Sequence, residues 1–112
     1  ISSISNIEIK GFAMGAELIS ELDKNPNIVI VDLNLPDIPG IELIKTIKAY
    51  NNKIKIVVVS AQRDIDMIIK VQAMGITNYI VKSESCLQYL NKVIEEIIIV
   101  EEYRKKYDND II

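Results

Sequence analysis

Residues 27–40 read NIVIVDLNLPDIPG, and the rest of the chain can be interpreted from this stretch. Four consecutive branched apolar residues at 28–31 are followed directly by the carboxylate of Asp32, and two prolines and Gly40 then end any extended structure. Because every position of the run is apolar, the pattern predicts a strand buried on both faces, as in a parallel sheet covered by helices. Asp32 is then expected at the carboxyl edge of the sheet, where ligands bind in open α/β folds.

The composition restricts the class of protein. The chain has 112 residues, of which 49% are hydrophobic, and a formal net charge of −3. The acidic balance argues against a nucleic-acid interface, and no apolar stretch has the length of a membrane span. A single cysteine excludes an internal disulfide, and the absence of histidine makes a zinc cluster unexpected. These features predict one soluble cytoplasmic domain with no membrane association.

Strand-like and helix-like patterns alternate along the chain. Strands are predicted at residues 6–12, 28–31, 54–59 and 77–81, and helices at residues 15–22, 41–48, 65–73 and 86–107. Asp64 is predicted to cap the third helix and Gly75 to follow its end. The inner stripe of that helix is predicted to comprise Ile65, Ile68, Ile69 and Ala73. Alternation of this kind indicates an α/β fold with a parallel sheet.

Three predicted strands end in side chains that carry chemistry. The runs at 28–31, 54–59 and 77–81 are followed by Asp32, Ser60 and Lys82, respectively. The ends of parallel strands lie on one edge, about 5 Å apart for neighbours, so a carboxylate, a hydroxyl and an ammonium are expected around one pocket. The sequence shows neither a histidine base nor a Gly-rich phosphate loop, which argues against a hydrolase triad and a nucleotide-binding loop.

The segments DLNLPDIPG, VVVSA and YIVK, in this order, resemble the response-regulator receiver domain of two-component signalling. The similarity extends from Asn6 to about Val100 and implies a flavodoxin-like (βα)5 fold, a doubly wound parallel sheet with strand order 2-1-3-4-5. By this resemblance Asp32 is the phospho-acceptor and Lys82 pairs with the phosphoryl oxygens. Ser60 is the switch hydroxyl, and Tyr79 is the aromatic residue that moves with it.

The resemblance also implies a cofactor and partners. The backbone amides of Asn34 and Ala61 are expected to bind the phosphoryl group. Mg²⁺ is expected on the carboxylate of Asp32 and the carbonyl of Asn34. The phosphoryl donor is expected to be a sensor histidine kinase, a phosphotransfer protein or a small acyl phosphate.

The sequence departs from the family pattern at its start. Receivers begin with a strand followed by two adjacent acidic residues that hold the metal, and no such segment precedes Asn6. That strand is the central one in the expected order. We therefore expect an N-terminally incomplete receiver over residues 1–107, with the missing strand either absent from a fragment or supplied by another molecule.

The last predicted helix is longer than one small sheet requires. Leu90, Val93, Ile97 and Val100 keep a three-four spacing, which Arg104 and Tyr107 continue. The stripe is compatible with a coiled-coil dimer seam, and residues 101–112 with a linker to an output domain. The alternative is that this helix only covers the sheet and that its charged end frays.

These patterns predict a phosphorylation-controlled switch and no turnover of a diffusing substrate. One alternative is a degenerate receiver that is never phosphorylated and serves as an interaction or dimerisation module. A weaker alternative is a flavodoxin-like nucleotide-binding enzyme domain.

Overall fold

The computed structural model describes residues 14–61 and 63–108, with side chains through Arg104. The expected strand at 6–12 lies outside the described residues. The described part falls into two compact units, one ending at Ser83 and the other beginning at Glu84. Within it, no helix combines the length and the apolar character needed to cross a bilayer.

The first unit contains three strands and three α-helices among the described residues. In chain order these are α1 (Gly15–Ser20), a short 3₁₀ helix (Leu22–Lys24), β1 (Ile28–Val31), α2 (Gly40–Tyr50), β2 (Lys55–Ser60), α3 (Ile65–Ala73) and β3 (Asn78–Val81). The second unit contains α4 (Cys86–Asp108). Each predicted strand and helix that falls on described residues is present, with ends within a few residues of the prediction.

The three strands form a parallel sheet in the order β1-β2-β3. Ile30 of β1 lies opposite Val57 of β2, and Val58 of β2 lies opposite Tyr79 of β3. This order is the one expected for the last three strands of the flavodoxin-like sheet, and the α/β fold is confirmed.

One face of the sheet packs against the three helices of the first unit. Val29, Val31, Ile56 and Val58 point to this face and belong to a core cluster with residues of α1, α2 and α3. The helix residues of the cluster are fully or nearly fully buried: Leu18, Leu43, Ile44, Ile47 and Val71. The 3₁₀ helix adds Leu22.

The opposite face of the sheet is less completely covered than the apolar run of β1 predicts. Val57 and Ile80 are buried there, whereas Ile28, Ile30 and Val59 remain partly exposed. The prediction that β1 is buried on both faces is therefore wrong for its even-numbered residues. A branched side chain fits a half-covered face as readily as a closed core, so a continuous apolar run does not reveal this difference.

The inner face of α3 also differs from the prediction. Ile65 and Ile69 are 68% and 57% exposed, and Ala73 is exposed as well. The face that meets the core cluster consists instead of Met67, Val71 and Met74, at the spacing of successive helical turns. Three isoleucines suggested the wrong stripe because Met67 and Val71 supply a second apolar row, offset by about half a turn. The cap of α3 is as predicted, since the Asp64 carboxylate accepts the N–H of Asp66 and Gly75 has a φ of 87°.

The face that α4 buries includes most of the proposed coiled-coil seam. Leu90, Val93 and Ile97 are buried within the chain, whereas Val100 is 47% exposed. This burial argues against a dimer seam through all four residues, and dimerisation itself stays a prediction. The exposed apolar side chains in the second half of α4 are Ile99, Val100 and Tyr103.

Candidate functional site

The site lies at the carboxyl edge of the sheet, where its three strands end in Asp32, Ser60 and Lys82. Asp32 follows β1 directly, Ser60 is the last residue of β2, and Lys82 follows β3. Parallel pairing brings these ends to the same edge, as predicted from the sequence. The backbone N–H of Lys82 donates to the Ser60 carbonyl at 2.9 Å, which extends the β2–β3 pairing to the site itself.

Asp32 and Lys82 form a direct ion pair across the end of β2. The Lys82 Nζ lies 2.7 Å from the Asp32 Oδ2, and the two residues are 50 positions apart in sequence. The Asp32 and Lys82 side chains are 31% and 48% exposed, respectively, so the pair is accessible to solvent rather than enclosed in the interior. Charge-assisted hydrogen bonds of this length are among the stronger ones in proteins.

The second oxygen of Asp32 accepts a hydrogen bond from its own loop. The backbone N–H of Asn34 donates to the Asp32 Oδ1 at 3.0 Å. Partial burial raises the pKa of Asp32, but the Lys82 hydrogen bond, the Asn34 N–H and the Lys82 charge together lower that pKa below its ordinary value. The carboxylate is therefore ionised at neutral pH and already in contact with two groups that favour added negative charge.

Ser60 and Tyr79 lie on the face of the sheet that carries the three helices. Ser60 is fully buried, and its register partner in β3 is Val81, two residues after Tyr79. Tyr79 is partly buried and packs against the core cluster. The two side chains are thus diagonal neighbours on one face, just below the Asp32–Lys82 pair. Ala61 follows Ser60 at an exposed bend.

Asp37, in the loop that follows Asp32, makes a contact that the sequence does not predict. The Asp37 carboxylate accepts the backbone N–H groups of Gly15 and Ala16 at 2.7 and 2.9 Å, more than 20 residues earlier in the chain. These two bonds lower the pKa of Asp37. One feature of the sequence is consistent with this contact: Met14, which precedes α1, cannot cap the helix as a Ser, Thr, Asp or Asn would.

The described residues do not by themselves form a complete metal site. No group of three His, Cys, Asp or Glu side chains among them is arranged to hold a metal ion. The Asp32 carboxylate and the Asn34 carbonyl carry oxygen atoms of the type that Mg²⁺ prefers, and their binding of Mg²⁺ stays a prediction.

Comparison with known proteins identifies the family of the chain. The family model described as the response regulator receiver domain matches residues 1–95. The transcriptional regulatory protein MalR of Bacillus subtilis is 25% identical over 84 residues, which cover 73% of this chain and 36% of MalR. The chain thus spans about a third of that relative's length.

Solved structures show the same fold. A CheY-like receiver domain protein from Methanospirillum hungatei superposes with a TM-score of 0.74 at 21% identity, over 88% of this chain and 79% of that one. The phosphorylated cyanobacterial phytochrome response regulator RcpA gives a TM-score of 0.65 at 27% identity, over 81% and 74% of the two chains. Since the family model matches most of the chain and the fold is that of receivers, this chain belongs to the response regulator receiver domain family of two-component signalling.

Proposed function

We propose that this receiver domain accepts a phosphoryl group on Asp32 and changes conformation when it does so. The observation that carries the proposal is the 2.7 Å contact between the Lys82 ammonium and the Asp32 carboxylate, which joins the ends of two strands across a third. An ion pair with a purely structural role would need no further polar groups beside its two partners. Here the pair also has a backbone amide on the free carboxylate oxygen and a buried hydroxyl at the end of the strand between them.

The chemistry needs no base at the site. A carboxylate oxygen of Asp32 attacks the phosphorus of an acyl phosphate or a phosphohistidine, forming a new O–P bond. The bond between phosphorus and the donor oxygen or nitrogen breaks, and the leaving group keeps the electron pair. Phosphoryl transfer depends mainly on positioning and on opposing charge, which Lys82 and the Asn34 N–H are placed to supply. The lowered pKa of Asp32 keeps the nucleophile ionised.

Mg²⁺ fits this site as a cofactor, with Asp32 and the Asn34 carbonyl as two of its oxygen ligands. Mg²⁺ favours six oxygen ligands and usually retains several waters, so two protein ligands from the described residues are compatible with binding. When bound, the ion would neutralise charge on the phosphoryl oxygens. Lys82 would oppose negative charge on the same group.

The response to phosphorylation is proposed to run through Ser60 and Tyr79. A phosphoryl group adds nearly two negative charges at the end of β1. The Ser60 hydroxyl can bond to it only if the loop after β2 moves, with the amide of Ala61 joining the new contacts. Tyr79, on the same face, fills the space that this movement opens.

The phosphoryl donor is proposed to be a sensor histidine kinase or a phosphotransfer protein in the cytoplasm. MalR is named a transcriptional regulatory protein, and the similarity covers about a third of it. A separate output domain joined through α4 is consistent with that proportion. RcpA, which is named as a phosphorylated response regulator, supports phosphorylation as the input.

The proposal is tested by incubating the protein with acetyl phosphate and Mg²⁺ and measuring its intact mass. We expect a gain of one phosphoryl group that is absent in Asp32→Asn. Asp66→Asn, an exposed acidic residue of α3, is the matched control and should keep the gain. A wild-type protein that takes up no phosphoryl group from acetyl phosphate or a kinase would contradict the proposal and favour the non-phosphorylated interaction module.

A further inference from the structure

Asp37 connects the loop after the acceptor strand to a helix that is distant in sequence. Its Oδ1 and Oδ2 each accept one backbone N–H at the start of α1, from Gly15 and Ala16. The neighbouring Ile38 lies against Gly15 so closely that a Cβ on this glycine would be 3.0 Å from the Ile38 Cδ1. A polar and an apolar contact thus fasten the same short segment to the same helix end.

Helix α1 depends on this external cap. It has six residues, and Met14 provides no side-chain hydrogen bond at its start. A helix this short is marginal on its own, because the cost of nucleation is spread over few hydrogen bonds. The first N–H groups of a helix have no partner within it, and the Asp37 carboxylate accepts two of them with charge-assisted bonds.

The same loop is fastened to the acceptor at its other end. The Asn34 N–H donates to the Asp32 carboxylate, and only Leu35 and Pro36 separate Asn34 from Asp37. Pro36 has a fixed φ, which removes one of the few torsions that could absorb a displacement between the two ends. Leu33 also packs closely against Gly40, since a Cβ on this glycine would lie 2.8 Å from the Leu33 Cα.

We propose that Asp37 is a positioning residue that couples the phosphorylation state of Asp32 to helix α1, making the start of α1 a second surface that responds to the signal. This inference rests on the proposed phosphorylation of Asp32. In the aspartyl phosphate, which is a mixed anhydride, the Asp32 oxygen bonded to phosphorus is a poor hydrogen-bond acceptor. The Asn34 N–H then turns to a phosphoryl oxygen farther from the backbone, and the loop moves with it.

The direction of the effect follows from the unmodified geometry. The bonds at the two ends of the loop, 3.0 Å at Asn34 and 2.7 and 2.9 Å at Asp37, are near the optimum for N–H donors. A loop that satisfies both ends in one state cannot keep both when one end moves. Phosphorylation therefore weakens the cap, and the first turn of α1 opens more often.

Coupling of this kind is reciprocal. If binding at Asp32 weakens the contact between Asp37 and α1, then removing that contact strengthens binding at Asp32 by the same factor. Beryllofluoride with Mg²⁺ is a non-covalent phosphoryl mimic whose affinity is an equilibrium quantity, so the factor is directly measurable. We expect Asp37→Ala to bind beryllofluoride about 5-fold more tightly than wild type, at the lower end of typical coupling strengths. A merely structural loss of the cap would lower the melting temperature and leave this affinity unchanged or weaker.

The second measurement is amide hydrogen exchange of Gly15 and Ala16, followed by NMR in the full chain. Exchange at both amides should be several-fold faster after phosphorylation by acetyl phosphate, and Asp37→Ala should show the fast rate in either state. Asp64→Asn is the matched control, because Asp64 also caps a helix with its carboxylate but acts within α3. This control should keep the wild-type response of α1.

The outcomes separate the two proposals. A protein that gains no phosphoryl mass contradicts the proposed function and the coupling together. A protein that is phosphorylated, but whose Gly15 and Ala16 amides exchange at an unchanged rate, contradicts the coupling alone. An affinity for beryllofluoride that is the same in wild type and Asp37→Ala also contradicts it.

Discussion

The carboxylate of Asp32 has a different partner on each oxygen, and the two partners come from different parts of the chain. Lys82 reaches it from the end of β3, and the Asn34 N–H from the loop that Asp32 itself begins. Partial burial raises the pKa of Asp32, and these partners outweigh that effect. The balance makes the pKa of this one residue a sensitive measure of the site's geometry.

Replacing Lys82 by methionine should raise the pKa of Asp32. The substitution removes both the hydrogen bond and the positive charge, while burial and the Asn34 N–H remain. The change is measured by an NMR titration of the Asp32 carboxyl carbon. Lys45→Met, at an exposed position of α2, is the control and should leave that titration in place. An unaltered Asp32 titration in Lys82→Met would mean that the ion pair is absent in solution.

The meeting of Asp32, Ser60 and Lys82 was predictable because parallel strands bring their ends to one edge, whatever the details of packing. The contact between Asp37 and α1 was not. Nothing in the residues around Asp37 specifies a partner more than 20 positions away, and only the uncapped start of α1 indicates that one is needed. Contacts that follow from sheet topology can therefore be predicted from this sequence, whereas contacts that depend on the path of one loop cannot.

At the scale of elements, α3 shows the limit of pattern reading. Ile65 and Ile69 of the predicted stripe are exposed, whereas Val71 of the other apolar row is fully buried. The helix, its cap and its end were predictable from local residue types, but its rotation about its own axis depends on which of two apolar rows fits the sheet better.

This rotation predicts different losses of stability for two substitutions in α3. Val71→Ala removes two buried methyl groups and should destabilise the protein by roughly 2 kcal/mol, including the cavity left behind. Ile69→Ala, at a position 57% exposed, should change the free energy of unfolding by less than about 0.5 kcal/mol. Urea denaturation of both variants measures the difference. A larger loss in Ile69→Ala than in Val71→Ala would support the isoleucine stripe instead.

The start of α2 lies so close to the acceptor loop that position 40 has no room for a side chain. A Cβ on Gly40 would lie 2.5 Å from the Leu33 Cδ2 and 2.8 Å from the Leu33 Cα, so the backbone next to Asp32 would have to move. We expect Gly40→Ala to cost about 1–3 kcal/mol in urea denaturation and to slow phosphorylation by acetyl phosphate. Gly15→Ala is the comparison and should cost less, because a Cβ there would approach only the Ile38 side chain, at 3.0–3.2 Å, and no backbone atom. Equal costs for the two variants would contradict this account.

At the scale of the whole molecule, the two faces of the sheet are buried to different extents. The core cluster joins one face to α1, α2 and α3, whereas Ile28, Ile30 and Val59 on the other face are partly exposed. The fold class followed from the alternation of strands and helices, since that pattern admits few arrangements. The extent to which each face is buried did not follow from that alternation, because it depends on how many residues of each helix contact the sheet.

Acid should destabilise the protein through Asp32 and Asp37 together. Burial raises the pKa of Asp32, but Lys82 and Asn34 lower it overall. The N–H groups of Ala16 and Gly15 lower the pKa of Asp37. As the pH falls, the unfolded chain, whose aspartates have a pKa of about 3.9, takes up protons before the folded protein does. The stabilisation from both carboxylates is therefore complete above that value and is lost as the pH falls through their lower folded values.

The double variant Asp32→Asn/Asp37→Asn should consequently be less stable than wild type at pH 7 and should lose less stability between pH 7 and pH 3. The measurement is the urea midpoint across that range. Val71→Ala is the matched control: it lowers stability by a different route and retains both carboxylates, so its midpoint should fall with pH in parallel with wild type. If the double variant instead ran parallel to wild type, the two carboxylates would make no net contribution to the pH dependence. The contacts that hold the acceptor loop at both ends would then not persist in solution.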